Sequence, residues 1–361
     1  MKKTNMKDLG LTDKLMKEAA QYPNLEVGRI SSQHKDLFTV ITTTGEITAE
    51  VSGKFRYNVN TLSEYPAVGD FIMVDRTDSL NGSGIIHFLL TRKSAITRKV
   101  AGKTNDLQII ASNIDTVFIC MSLNNDFNIR RLERYLAIAW DSGGTPVVVL
   151  TKSDLCEDIN TIINEIALIA IGVDVLVTSS ILNDDGYEPL KSYLSNGQTA
   201  VFIGSSGVGK STLINRIFGV DILETNMIRN DDKGRHTTTR RELIILPSGG
   251  IVIDTPGMRE LGIINADLSK TFSDIDELAI NCVFRDCTHR NEPNCAVQKA
   301  INTGVLPKER FDSYLKLLKE AKYEGMDSKM IEKEKINEMF KGVGGIKNAR
   351  KFIKEKHKKR F

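Results

Sequence analysis

The sequence predicts a multi-domain chain in three folded parts: an N-terminal β-barrel of OB type, a central α/β unit, and a C-terminal helical module built around a cysteine–histidine cluster. Three observations predict this. Short strands separated by Gly, Asn and Ser turns run from about residue 25 to 96. Apolar strands then alternate with helical patterns as far as Phe218. Last, Cys282, Cys287, His289 and Cys295 fall within fourteen residues of a helical stretch. A chain of 361 residues, 41% hydrophobic, is long enough for two or three domains with real cores. The expected boundaries are 1–20 for an N-terminal extension, 21–98 for the barrel, 99–265 for the α/β unit, 266–325 for the helical module and 326–361 for a basic tail.

Residues 1–20 read as a short helix or a frayed extension. Strands are expected at Phe38–Thr43, Ile47–Val51, Phe55–Val59, Gly69–Val74 and Gly84–Leu90. Five short strands suit an OB barrel, a common nucleic-acid module. Phe38, Phe55, Tyr57 and Phe71 are either core or stacking platforms. Arg92 to Val100 is a basic connector. The α/β unit follows with strands at Thr116–Met121, Pro146–Leu150, Val173–Val177 and Thr199–Ile203, and helices at Arg130–Trp140, Ile159–Ile171, Tyr187–Leu194 and Ser211–Phe218. Arg241–Leu246 and Gly250–Ile253 read as a hairpin. Beyond Asp267 the chain is helical, with Phe311, Tyr314, Leu315 and Leu318 on one face.

The first chemical motif is Gly204-Ser205-Ser206-Gly207-Val208-Gly209-Lys210-Ser211, a G-x-x-x-x-G-K-S loop between a buried strand and a helix. Backbone N–H groups and the helix dipole converge on one point that suits a phosphate chain. Thr212 continues the loop into the helix, Lys210 adds a cation, and the Ser211 hydroxyl is placed for Mg²⁺. Asp254-Thr255-Pro256-Gly257 is a D-x-x-G at a strand end. There the acid meets Mg²⁺ through water, and the Gly257 N–H faces the terminal phosphate.

Thr151-Lys152-Ser153-Asp154 follows a buried strand and reads T-K-x-D. A carboxylate there accepts from guanine N1–H and its exocyclic amine, a donor pair adenine lacks, so Asp154 selects GTP. The Lys152 stem can lie along the base. Thr178-Ser179-Ser180 is a looser match to the loop supporting the base. Between the phosphate loop and D-x-x-G lies Gly234-Arg235-His236-Thr237-Thr238-Thr239, in a polar stretch without periodicity. Thr238 and Thr239 are both candidates to complete the Mg²⁺ shell. Met258 stands where a water-orienting glutamine is usual, and His236 is the nearest substitute.

The order of these motifs is unusual: base recognition first, then phosphate loop, then D-x-x-G. Strand–helix units keep this order if the domain is cut elsewhere and its old ends are joined. The expected joint is Ser195-Asn196-Gly197-Gln198. The central unit is thus expected to be a P-loop GTPase domain with circularly permuted motif order. Its D-x-x-G segment then runs directly into the C-terminal module. In that module Cys282, Cys287, His289 and Cys295 give C-x₄-C-x-H-x₅-C, a closed tetrahedral set for one structural Zn²⁺.

Composition limits the remaining possibilities. No run of eighteen apolar residues occurs, so no membrane helix is expected. The basic start at Met1–Lys7 lacks a following apolar stretch and does not read as a signal peptide. Five cysteines, an odd number, fit a reducing cytosol, so a cytoplasmic protein is the expectation; a monomer is expected as well. Cys120 and Cys156 read as incidental thiols. Residues 341–361 carry +8 of a net +3, which leaves −5 for the rest. The tail therefore reads as an arm for a polyanion.

Taken in order, T-K-S-D, G-S-S-G-V-G-K-S, G-R-H-T-T-T, D-T-P-G and C-x₄-C-x-H-x₅-C resemble the ribosome small-subunit-dependent GTPase A family, RsgA or YjeQ. Ser112-Asn113-Ile114-Asp115 is similar to that family's entry to the permuted domain. The resemblance covers about residues 25–325. It implies a GTPase of late small-subunit (30S) maturation that binds rRNA, is stimulated by that subunit and is released on hydrolysis to GDP. It also implies His236 as the hydrolytic residue. Thr151 departs from the commoner Asn. The alternative function is an RNA-binding assembly chaperone in which GTP is a conformational ligand. Asp154 argues against an ATP-dependent kinase.

Overall fold

The computed structural model describes residues 4–78, 82–99, 107–179, 186–219, 222–223, 241–254, 268–290, 292–323, 328–340 and 348. Helix α1 (Asp13–Ala19) precedes strands β1 (Glu26–His34), β2 (Leu37–Ile41) and β3 (Glu46–Val51). Helix α2 (Gly53–Asn58) then leads to β4 (Phe71–Val74) and β5 (Gly84–Leu89). β1 pairs with both β2 and β4, and β3 pairs in parallel with β5, which closes a five-stranded barrel in the order β1-β2-β3-β5-β4. This connectivity, with a helix between β3 and β4, is of OB type.

Residues 55–59 are the first departure from the sequence reading. Their alternation of Phe55, Tyr57 and Val59 imitates a strand, yet they belong to α2 and its end. The Ser52 hydroxyl accepts from Phe55 N–H and caps the helix, which outweighs the β-type side chains. The fifth strand is β1 instead. Phe38, Phe55 and Phe71 are buried core, whereas Tyr57 is 89% exposed. The N-terminal residues are not frayed: Met6, Leu9, Leu11 and Leu15 are buried in the main core. Arg29, fully buried, donates to the Leu9 carbonyl, to the Gly69 carbonyl at 3.2 Å and to the Thr199 hydroxyl at 2.9 Å. One guanidinium thus fastens the N-terminal segment, the barrel and the central sheet. Burial lowers its pKa to about 10, which still leaves it charged at neutral pH.

The stretch read as a basic connector contains β6 (Ala95–Lys99), paired antiparallel with β7 (Leu107–Ser112). The central unit follows: β8 (Thr116–Ser122), α3 (Ile129–Asp141), β9 (Thr145–Thr151), α4 (Ile159–Ile169), β10 (Asp174–Val177), α5 (Glu188–Lys191), β11 (Thr199–Ile203) and α6 (Lys210–Phe218). The hairpin β12 (Glu242–Ile245) and β13 (Ile251–Asp254) completes it. The order β10-β9-β8-β11-β13 is all parallel, and β12 is added antiparallel. Alternate residues of these strands face opposite layers. Val117, Ile119, Met121, Val148, Leu150 and Ile203 pack in the core shared with α3 and α4; Phe118, Cys120, Val147, Val149 and Phe202 pack with α5 and α6. Covering both faces explains why β8, β9 and β11 are nearly continuous apolar runs. A single pairing, Ser32 with Glu242, joins the barrel to this sheet.

The remaining helices are α7 (Ser273–Ala279), α8 (Ala296–Asn302), α9 (Lys308–Lys322) and α10 (Ser328–Phe340). On α9 the buried stripe is Arg310, Phe311, Leu317 and Ala321, with Tyr314 half-buried. Leu318, expected on that face, is 37% exposed, because the packed row runs 310, 314, 317, 321 at helical spacing. No helix among the described residues is long and apolar enough to cross a membrane.

Candidate nucleotide site and metal cluster

The glycine-rich loop leaves the end of β11 and enters α6. At Gly204 a Cβ would stand 2.4 Å from the Cys120 carbonyl, so backbone passes over backbone there and no side chain fits. Gly207 and Gly209 adopt φ of 79° and 96°, the left-handed region glycine tolerates. Lys210 turns back on its own loop and donates to the Gly204 and Ser205 carbonyls at 2.8 and 2.7 Å. Burial lowers the Lys210 pKa, and Asp254 opposes that shift. Beneath the loop, burial pushes the Cys120 thiol up to about 12, so it is neutral and inert.

The T-K-S-D segment leaves β9, two strands away. Its Thr151 hydroxyl donates to the Val208 carbonyl at 2.6 Å, tying this segment to the phosphate-type loop. Lys152 takes φ 56° at the turn. The Ser179 hydroxyl donates to Asp154 Oδ1 at 2.5 Å, and Ser153 N–H bonds the Thr178 carbonyl at 3.2 Å. The Thr178–Ser179 segment after β10 therefore supports Asp154 directly. Ser211 lies in the first turn of α6. Asp254 ends β13, the parallel neighbour of β11, so it emerges at the same sheet edge as the loop. The oxygen donors Ser211 and Asp254 suit Mg²⁺. His236, Thr238, Thr239 and Gly257 lie outside the described residues.

Sequence reasoning missed two links. Arg131 Nη1 donates to the Ser205 hydroxyl at 3.0 Å, while Asp126 grips the same guanidinium at 2.7 and 3.1 Å. On the same helix, Glu133 is fully buried and accepts from Arg310 Nη1 at 2.8 Å. Arg130 also pairs with Glu133. Arg310 holds Asp274 through Nε and Nη2, each at 2.6 Å, and Arg134 pairs with Glu320. Helix α3 thus touches the glycine-rich loop at one end and the C-terminal helices along its side. A local signal existed. Arg130 and Arg131 sit in the first turn of a helix, where the dipole disfavours cations, so acceptors close by are expected for both.

Cys282, Cys287, His289 and Cys295 offer ligand atoms that all lie within 4.8 Å of one another. The Cys282 and Cys295 sulfurs are 3.8 Å apart, and each is 3.5 Å from His289 Nδ1. A tetrahedron with Zn–S bonds of about 2.3 Å has edges of about 3.8 Å. The donor set therefore fits a tetrahedral ion of thiolate and imidazole preference. His289 and Asn294 take φ of 58° and 57°, which folds the intervening loop tightly. Cys295 Sγ also caps α8 by accepting from Gln298 N–H at 3.4 Å.

Comparisons with known proteins cover nearly the whole chain. A model of the RsgA GTPase family matches residues 89–264. Small ribosomal subunit biogenesis GTPase RsgA 2 of Lactiplantibacillus plantarum is 49% identical over 98% of this chain and 98% of its own. Small ribosomal subunit biogenesis GTPase RsgA of Methanosarcina acetivorans is 42% identical, covering 90% of this chain and 88% of its own. Among solved structures, YjeQ from Thermotoga maritima superposes with a TM-score of 0.61 at 29% identity, over 82% of this chain and 98% of that one. YloQ, described as a circularly permuted GTPase, gives 0.59 at 30% identity, over 82% and 95%. Likeness at this level spans barrel, central sheet and cysteine–histidine module together, and the chain belongs to the RsgA GTPase family.

Proposed function

We propose that the chain hydrolyses GTP during late maturation of the small ribosomal subunit, binding the subunit's rRNA and leaving it after hydrolysis. The observation that carries this reading is the pairing of Asp154, oriented by Ser179, with a phosphate-type loop tied to the same segment through Thr151 and Val208. Guanine is read by Asp154, with Lys152 along the base and Ser153 holding the turn. The triphosphate lies along Gly204, Ser205, Ser206, Gly207, Val208 and Gly209, with Lys210 and Thr212 at its end. Lys210 exchanges two loop carbonyls for phosphate oxygens, which also relieves its desolvation. Mg²⁺ would be held by Ser211, by Asp254 through water, and by Thr238 or Thr239. Gly257 meets the terminal phosphate, and His236 orients the attacking water.

The cysteine–histidine cluster would hold one Zn²⁺. All four positions are filled by protein, so the ion braces the module and leaves no open coordination site. The barrel, this module and the basic tail would meet rRNA largely through phosphates, so association weakens with salt. The protein acts in the cytoplasm as a monomer.

Sedimentation with purified small subunits tests the switch. The chain loaded with a non-hydrolysable GTP analogue should pellet with subunits, and the GDP-loaded chain should remain in the supernatant. Equal pelleting in both states contradicts the proposal.

A further inference from the structure

The barrel and strand β7 meet around a cavity of ≈ 280 Å³. Gln33 and Asp36 line it from the β1–β2 hairpin, Arg56 from α2, Tyr65 from the segment before β4, and Gln108 and Ile109 from β7. It has room for one base or one small ring.

Two further arginines stand behind this lining, next to Gln108. Arg98 stands opposite Gln108 in the antiparallel register of β6 and β7, so their side chains share one face. Arg241 Nη2 donates to Gln108 Oε1 at 3.2 Å, and its Nη1 donates to the Ile109 carbonyl at 3.1 Å. Among the described residues neither arginine is in an ion pair, and Arg98 Nε is buried with no hydrogen-bond partner. Burial, and then the charge of Arg98, lower the Arg241 pKa, as expected where like charges are crowded. One buried guanidinium donor, Arg98 Nε, has no acceptor, and the neighbouring Arg241 is held by neutral groups alone, so the pair suits an anion.

The rest of the lining narrows the ligand. A bare phosphate would use the arginines, leave the Tyr65 ring idle and meet Asp36 as a like charge. A ribonucleotide uses every group. Its base stacks on Tyr65 (itself braced edge-on by Phe55, ring centroids 6.2 Å apart) and bonds Gln33. Its ribose hydroxyl donates to Asp36, and its phosphate takes the arginines.

We propose that this junction binds single-stranded RNA through one base and an adjoining phosphate, and that binding here promotes GTP turnover. The proposal rests on the rRNA-dependent GTPase reading above. The coupling route is short. Arg241 directly precedes Glu242, and Glu242 pairs with Ser32 of the barrel on one side and Asp254 of D-x-x-G on the other. RNA clamped between barrel, hairpin and Arg241 fixes the strand against which Asp254 is aligned.

Fluorescence polarisation of the full-length protein with a labelled single-stranded uridine ten-mer tests the site. Arg98→Gln and Arg241→Gln should each weaken binding about fivefold or more and flatten the salt dependence by roughly 0.7 in log–log slope for each phosphate no longer neutralised. Arg98→Lys should retain most of the affinity, and Tyr65→Leu should weaken it without changing the slope. Melting temperature and bound metal check that each variant is folded. Unchanged affinity in Arg98→Gln and Tyr65→Leu overturns the proposal. So does displacement of the RNA by millimolar inorganic phosphate together with an unaffected Tyr65→Leu, which would mark a plain anion site. Turnover with purified small subunits separates the two levels of the claim. If the wild type is stimulated and Arg241→Gln is stimulated equally, this junction is not the coupling site. If the wild type is not stimulated, the parent reading fails.

Discussion

The Thr151 hydroxyl donates to the Val208 carbonyl across 57 residues of chain, at 2.6 Å. That bond makes the segment after β9 and the glycine-rich loop one structure. Replacing Thr151 with Val keeps the shape and leaves a buried carbonyl unpaired, at a cost of about 1–3 kcal/mol. We expect GTP and GDP affinities to fall about tenfold together, and Thr151→Asn, whose amide can donate to the same carbonyl, to restore most of the loss. Equilibrium binding of a fluorescent guanine nucleotide checks this.

In the proposed reading Asp154 selects the base. Asp154→Asn swaps an acceptor for a donor, which no longer suits the guanine amine but suits the carbonyl xanthine carries there. GTP turnover should drop at least a hundredfold, with XTP becoming the better substrate. Ser179→Ala should weaken GTP binding more mildly, since it removes only the bond that orients the carboxylate. Competition of GTP and XTP for each variant is the measurement.

Arg310 and Glu133 join the C-terminal helices to α3 in a buried pair. Arg310→Met leaves the buried Glu133 carboxylate with Arg130 alone and should cost about 3 kcal/mol, seen as a lower denaturant midpoint and faster proteolysis of the C-terminal helices. The double variant Arg310→Met with Glu133→Gln should regain much of that loss. If the double variant is as unstable as the single one, the pair is not what holds the two parts together.

Removing the metal should separate two roles. The cysteine–histidine cluster lies beside α7 and α8, while the proposed nucleotide site lies at the ends of β9, β11 and β13. Chelation should release one Zn²⁺ per chain by elemental analysis and abolish association with small subunits. GTP affinity should change by less than about threefold. Loss of GTP binding in step with the metal would contradict this division.

The parts of the fold legible in the sequence are those where one local rule dominates. β8, β9 and β11 are buried on both faces and read as plain apolar runs. The glycine-rich loop is legible because steric demand at Gly204, Gly207 and Gly209 writes itself into residue type. Strand β6 is hidden by Arg98 and Lys99, which look like linker charge until the partner β7 is known. Helix α2 reads as a strand because its cap at Ser52 is a quieter signal than three β-type side chains. The ties Thr151–Val208, Arg131–Ser205 and Arg310–Glu133 join residues 57, 74 and 177 positions apart, and no window of sequence contains both partners. The single-base cavity at the barrel junction is likewise assembled from β1–β2, α2 and β7, so only the fold gathers it.

The central claim is a guanine-specific hydrolase whose turnover depends on the small ribosomal subunit. The most direct test is the rate of phosphate release from GTP and from ATP, each with and without purified small subunits. The account predicts slow release from GTP alone, a rise of at least tenfold when subunits are added, and negligible release from ATP in either case. Equal GTP turnover with and without subunits, or comparable ATP turnover, would contradict it.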